Sequence, residues 1–108
     1  MRDDRVYLKH ITEAIDKVKR YISGNSFESF CNNDMLLDAV VRELEIIGEA
    51  ANNISKEFQE KNPELPWILI IGMRNRLIHE YFGVNKKIVW ETCQTDLKQL
   101  EKLLLPLI

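Results

Sequence analysis

The sequence predicts an all-α protein, a bundle of four main helices running up and down. Three observations carry this reading. Apolar residues recur at spacings of three and four along most of the chain, and strand-type alternation is sustained nowhere. Only four glycines and three prolines interrupt the 108 residues. Short connections between consecutive helices favour antiparallel neighbours, hence the up-and-down arrangement. One domain, residues 1–108, accounts for the length, and a chain of this size buries roughly two-thirds of its unfolded surface.

The first helix is predicted from about Asp3 to Ser23, with Leu8, Ile11, Ile15, Val18 and Ile22 on one stripe. Gly24 supplies its stop, since glycine tolerates the left-handed conformation that ends many helices. "GNSFESFCNN" reads as a polar loop anchored by Phe27 and Phe30. Asn32 or Asn33 can cap a second helix, with Asp34 favourable at its positive end. That helix is expected to reach about Ser55, burying Val40, Leu44, Ile47, Ala51 and Ile54, with Leu37 and Val41 widening the apolar sector. Arg42, Glu45, Glu49 and Asn52 form a separate polar stripe, the pattern of a solvated face, although Glu49 is also a weak candidate for facing a cleft. "KEFQEKNPELP" is a connector with room for one helical turn. Pro66 suits the first position of a third helix, where its missing N–H costs nothing. The third helix is expected to end near Tyr81 to Gly83. Asn85 can cap a fourth, which sets Val89, Cys93, Leu97, Leu100 and Leu104 in register before Pro106 ends it.

Composition narrows the function classes. Fifteen Lys and Arg against seventeen Asp and Glu give a net charge of −2, which excludes a uniformly basic nucleic-acid coat but leaves room for a local basic patch. Cys31 and Cys93 are too few and too far apart for a disulfide framework or a zinc site, and Cys93 on its apolar stripe reads as a small hydrophobe. The longest apolar runs fall far short of the roughly 20 residues that span a bilayer, and no signal peptide is visible. The expected compartment is the cytoplasm.

The third helix differs from its neighbours. Ile68, Leu69, Ile70, Ile71 and Met73 point in every direction around its axis, and a helix apolar all round must be covered on all sides. Either it is the central core helix or part of its surface meets a second copy of the chain. The same helix then continues into Arg74, Asn75, Arg76 and His79, followed by Tyr81. At about 100° per residue, Asn75 and His79 form an i,i+4 pair, Tyr81 returns close to Arg74, and Arg76 lies almost opposite Arg74. Histidine can move protons near neutral pH, arginine offers a fixed cation and a fork suited to phosphate oxygens, and asparagine can orient an imidazole. No second histidine or carboxylate cluster lies at metal-ligand spacing, so chemistry here would need neither metal nor cofactor. Phosphodiester cleavage by internal attack of an RNA 2′-OH fits these side chains. Taken alone, the residues fit an ordinary helix end better than a catalytic site.

The pattern Arg74-x4-His79-x-Tyr81 resembles the Arg-x4-His-x-Tyr motif of the HepT toxins, all-helical proteins of the HEPN superfamily. "AVVRELEIIGEAANNIS", "LPWILIIGMRNRLIHEYFGV" and "IVWETCQTDLKQL" are also similar to family segments, so the likeness runs from the second helix onward. The resemblance implies a C2 homodimer whose motif helices line a shared cleft, acting as a metal-independent ribonuclease toxin. It makes Arg74 and His79 the catalytic pair and Asn75 a supporting residue. Tyr81 would be adenylylated by a nucleotidyltransferase antitoxin of the MntA type, silencing the toxin. Arg76, Lys86 and Lys87 are candidate contacts to RNA phosphates. The alternatives are a non-catalytic nucleotide- or partner-binding module of the same fold, and a structural dimerisation domain.

Overall fold

A computed structural model describes residues 3–79 and 85–108; for 74–79 it describes the helical backbone. The described residues form helices joined by short connections, without strands: α1 (Asp4–Ile22), α2 (Phe27–Cys31), α3 (Asp34–Asn53), α4 (Lys56–Lys61), α5 (Trp67–His79), α6 (Lys86–Glu91) and α7 (Leu97–Leu104). A π-helical turn, Thr92–Asp96, joins α6 to α7, and a 3-10 turn, Leu105–Leu107, follows. Four long helical runs therefore build the bundle: α1, α3, α5 and the α6–α7 rod.

The expected stripes form the core. Leu8, Ile11, Ile15 and Val18 of α1 are buried with Val40, Leu44, Ile47 and Ala51 of α3, and Val89, Cys93, Leu97, Leu100 and Leu104 close the packing from the last rod. Helix α3 is the spine, packed along both α1 and α5, while α7 returns against α1. The start of α1 is tied to the end of α3: Ser55 donates its backbone N–H to Asp4 Oδ1 at 2.8 Å and its hydroxyl to Oδ2 at 2.7 Å. That tie makes α1 and α3 antiparallel. Lys19 and Glu101 pair at 3.1 Å between α1 and α7.

The helix starts follow capping chemistry. Asn33 accepts from the Leu36 N–H at 3.0 Å, and Asn85 accepts from both Lys87 and Ile88. Helix α5 begins one residue later than expected, because Pro66 contributes its carbonyl to the Ile70 N–H while staying outside the helix. The indole N–H of Trp67 donates to the Asn62 carbonyl at 2.9 Å, fixing how α5 leaves α4.

Two further features depart from the sequence reading. The stretch read as a polar loop holds a helix, α2, closed by a reciprocal capping box between Ser26 and Ser29. Phe27 and Phe30 both lie against Trp90, with ring centroids 6.1 and 5.2 Å away, so α2 seals the start of the last rod. That rod is also not a uniform α-helix. Val89, Cys93 and Leu97 are spaced four and four, which drifts around a straight α-helix; the wider π turn keeps all three facing the core. Thr92 donates its hydroxyl back to the Ile88 carbonyl at 2.7 Å, a bond that favours bending at this turn.

Candidate functional site

Helix α5 runs unbroken from Trp67 through His79, so Arg74, Asn75, Arg76 and His79 share one continuous helical backbone. Tyr81, the expected site of modification, lies outside the described residues. The apolar half of α5 shows which sides of its axis the bundle covers. Trp67, Ile70 and Met73 are buried, whereas Ile68 is 87% exposed and Leu69 67% exposed. Within the protomer α5 is therefore not a fully enclosed core helix.

Helical register gives the positions of the polar half relative to these lines. With Ile68 as zero, positions 72, 75 and 79 fall within about 40° of it, on the side the bundle leaves open. Position 74 falls between the lines of Trp67 and Ile70, on the packed side. The two catalytic candidates thus start from different sides of the helix axis, about 140° apart. Position 76 follows the exposed line of Leu69.

Grooves flank the open side. One, of about 620 Å³, lies between α4 and the start of α5, rimmed by Lys56 and Glu60 and floored by Ile68 and Leu69. The other, of about 270 Å³, separates α5 from α7, with Leu69, Ile70 and Met73 facing Leu97, Leu100 and Leu103, and with Glu64 and Asp96 at its edge. The collar at the N-terminal half of α5 is mainly carboxylate, while the motif half carries Arg74 and Arg76.

The lysines at the start of α6 separate. Lys86 is half-buried and donates from Nζ to the Cys31 carbonyl at 2.9 Å, placing its charge at the C-terminal end of α2. Lys87 is exposed. Glu49, on the polar stripe of α3, is engaged in an interaction of its own. The sequence reading passed over Glu43, which is almost completely buried on α3. Its register flanks the Leu44 and Ile47 stripe, and a charged residue so close to a core line is the signal that could have singled it out. Cys93 is buried among apolar neighbours, and burial pushes its thiol up to about 12, which suits packing and not nucleophilic chemistry. Among the described residues no group of His, Cys, Asp and Glu is arranged to hold a metal ion, and no helix is long and apolar enough to cross a membrane.

Comparison with known proteins gives the family of the chain. Residues 11–107 match the family described as Ribonuclease HepT-like. A protein of Caldanaerobacter subterraneus subsp. tengcongensis named as an inferred RNase is 49% identical over 94% of this chain and 91% of its own length. "Probable ribonuclease HepT" of Thermococcus cleftensis is 40% identical, over 93% and 91% of the two chains. In Methanocaldococcus jannaschii a protein named for a gamma-glutamylcyclotransferase and an inferred RNase is 37% identical over 99% of this chain, which covers 48% of that longer protein. No solved structure gives a significant match.

Proposed function

Because this chain belongs to the Ribonuclease HepT-like family, we propose that it is a metal-independent endoribonuclease, the toxin of a toxin–antitoxin pair, acting as a homodimer. One observation supports this most: Arg74, Asn75 and His79 lie on a single continuous helix inside the matching segment. A neutral His79 imidazole takes the proton of an RNA 2′-OH, whose oxygen attacks the adjacent phosphorus. The bond to the 5′-oxygen breaks, and that oxygen leaves with a proton taken from water, giving a 2′,3′-cyclic phosphate and a 5′-hydroxyl end. The Arg74 guanidinium stabilises the charge that builds on the phosphoryl oxygens, the role metal ions play in other nucleases. Asn75, one turn before His79, orients the imidazole.

The open side of α5 suits a site shared by two protomers. Exposed Ile68 and Leu69 supply the apolar part of the seam, and positions 75 and 79 continue the line of Ile68 along the helix toward the cleft. Arg76 and Lys87 would contact RNA phosphates; Lys86 would combine any such contact with its hold on the Cys31 carbonyl. Regulation falls on Tyr81. A nucleotidyltransferase antitoxin transfers AMP from ATP to the phenolic oxygen, with pyrophosphate leaving, and the added charge and bulk close the cleft to RNA.

The test is substitution of the pair. His79→Ala and Arg74→Ala should each abolish cleavage of a single-stranded RNA while the circular dichroism spectrum stays that of the wild-type helical fold. Full activity in both variants would place the chemistry on other residues, and a wild type that binds RNA without cleaving it would leave the non-catalytic binding module as the better reading.

A further inference from the structure

Gly72 sits in the middle of α5 with no local reason to be glycine. Apart from proline, glycine is the least favourable residue in a helix interior. Its backbone is ordinary here: among the described residues the glycine with positive φ is Gly24, at 78°. Nor do the described residues crowd it, since a Cβ added at Gly72 would meet none of their heavy atoms within 4 Å. A neighbour from outside the protomer would make use of the missing side chain.

The register of α5 shows from which side. Gly72 lies within about 40° of Ile68, on the side where that isoleucine is left in solvent and where positions 75 and 79 follow. We infer that Gly72 is the point at which α5 crosses the same helix of a second copy of this chain, its bare backbone setting how closely the two motif helices approach. This rests on the homodimer proposed above and assigns the residue that governs its central contact.

Two features favour a second copy over nucleic acid on this surface. The rim carries Glu60, Glu64 and Asp96 against Lys56, a balance that repels phosphates. The centre of the surface is also apolar, with Ile68 87% and Leu69 67% exposed, as the middle of a protein–protein seam is. Small residues at a helix crossing let backbones come close, and a side chain at that point forces them apart.

The experiment is sedimentation equilibrium on wild type, Gly72→Ala and Gly72→Leu over nanomolar to high micromolar concentrations, with thermal melts of each under dissociating dilution. Wild type should be dimeric at micromolar concentration. Gly72→Ala should raise the dissociation constant at least tenfold and Gly72→Leu at least a hundredfold, while the dissociated protomers melt no lower than wild type. Alanine is the safeguard against misfolding, since it improves helix propensity and fits the open space. If both variants dimerise like wild type, the crossing point is not Gly72, although the dimer stands. If RNA affinity falls while dimerisation is unchanged, the surface belongs to RNA and the inference fails. A wild-type protein that stays monomeric removes the dimer itself.

Discussion

Cys93 and Tyr81 show how differently single residues can be read. Cys93 is the simpler of the two. Desolvation by its buried surroundings holds the thiol protonated to about pH 12, against an ordinary value of 9.0. Its native-state pKa is raised, so its contribution to stability is complete below the unfolded-state value and lost as pH climbs through it toward the native one. Each pH unit in that window removes about 1.4 kcal/mol. Urea midpoints measured at pH 8 and 10.5 should diverge more for wild type than for Cys93→Val, which keeps the packing without the proton. An equal alkaline loss in both would assign the effect to other groups. Tyr81 is read by kinship with the motif. Tyr81→Phe should retain RNA cleavage yet resist covalent silencing, seen as no mass gain after incubation with the antitoxin and ATP. Equal mass gain by both proteins would place the modification elsewhere.

At the scale of the element, the long helices were legible because each buries a stripe that periodicity marks plainly. All of Leu8, Ile11, Ile15 and Val18, and all of Val89, Cys93, Leu97, Leu100 and Leu104, are where spacing puts them. Helix α2 was hidden because five residues carry too little periodicity, and its stability comes from the Ser26–Ser29 capping box and the Trp90 contact. The π turn was equally invisible, since residues spaced by four fit an α-helix until the drift over two turns is followed. Caps were readable, and Asn85 is the informative one because it opens the rod right after the motif segment. Its side chain satisfies two N–H groups, at 3.1 and 3.2 Å. Asn85→Ala should cost about 1 kcal/mol in chemical denaturation, while Asn85→Asp stays close to wild type. A loss in the aspartate variant as large as in alanine would argue against capping as the reason.

For the whole molecule, the bundle presents one helix with an apolar half and a polar half. Its apolar half is packed on α3 along one side and bare along the other, and no count of hydrophobic residues could distinguish those sides from sequence. An apolar residue at a seam and one in a core obey the same composition rules, so only the protomer's packing separates Ile68 from Ile70. The candidate site was legible to a different degree. Residue types and spacing named Arg74, Asn75 and His79, but their division between the open and packed sides of α5 emerged only once Trp67, Ile70 and Met73 were seen to be buried. The central claim is that this helix delivers metal-independent RNA cleavage by internal attack. It is tested most directly by mass spectrometry of RNA fragments produced by the purified protein in excess EDTA. Fragments ending in 2′,3′-cyclic phosphate, matched by 5′-hydroxyl ends, are the expected result. Cleavage that appears only with added magnesium, leaving 3′-hydroxyl and 5′-phosphate ends, would contradict it.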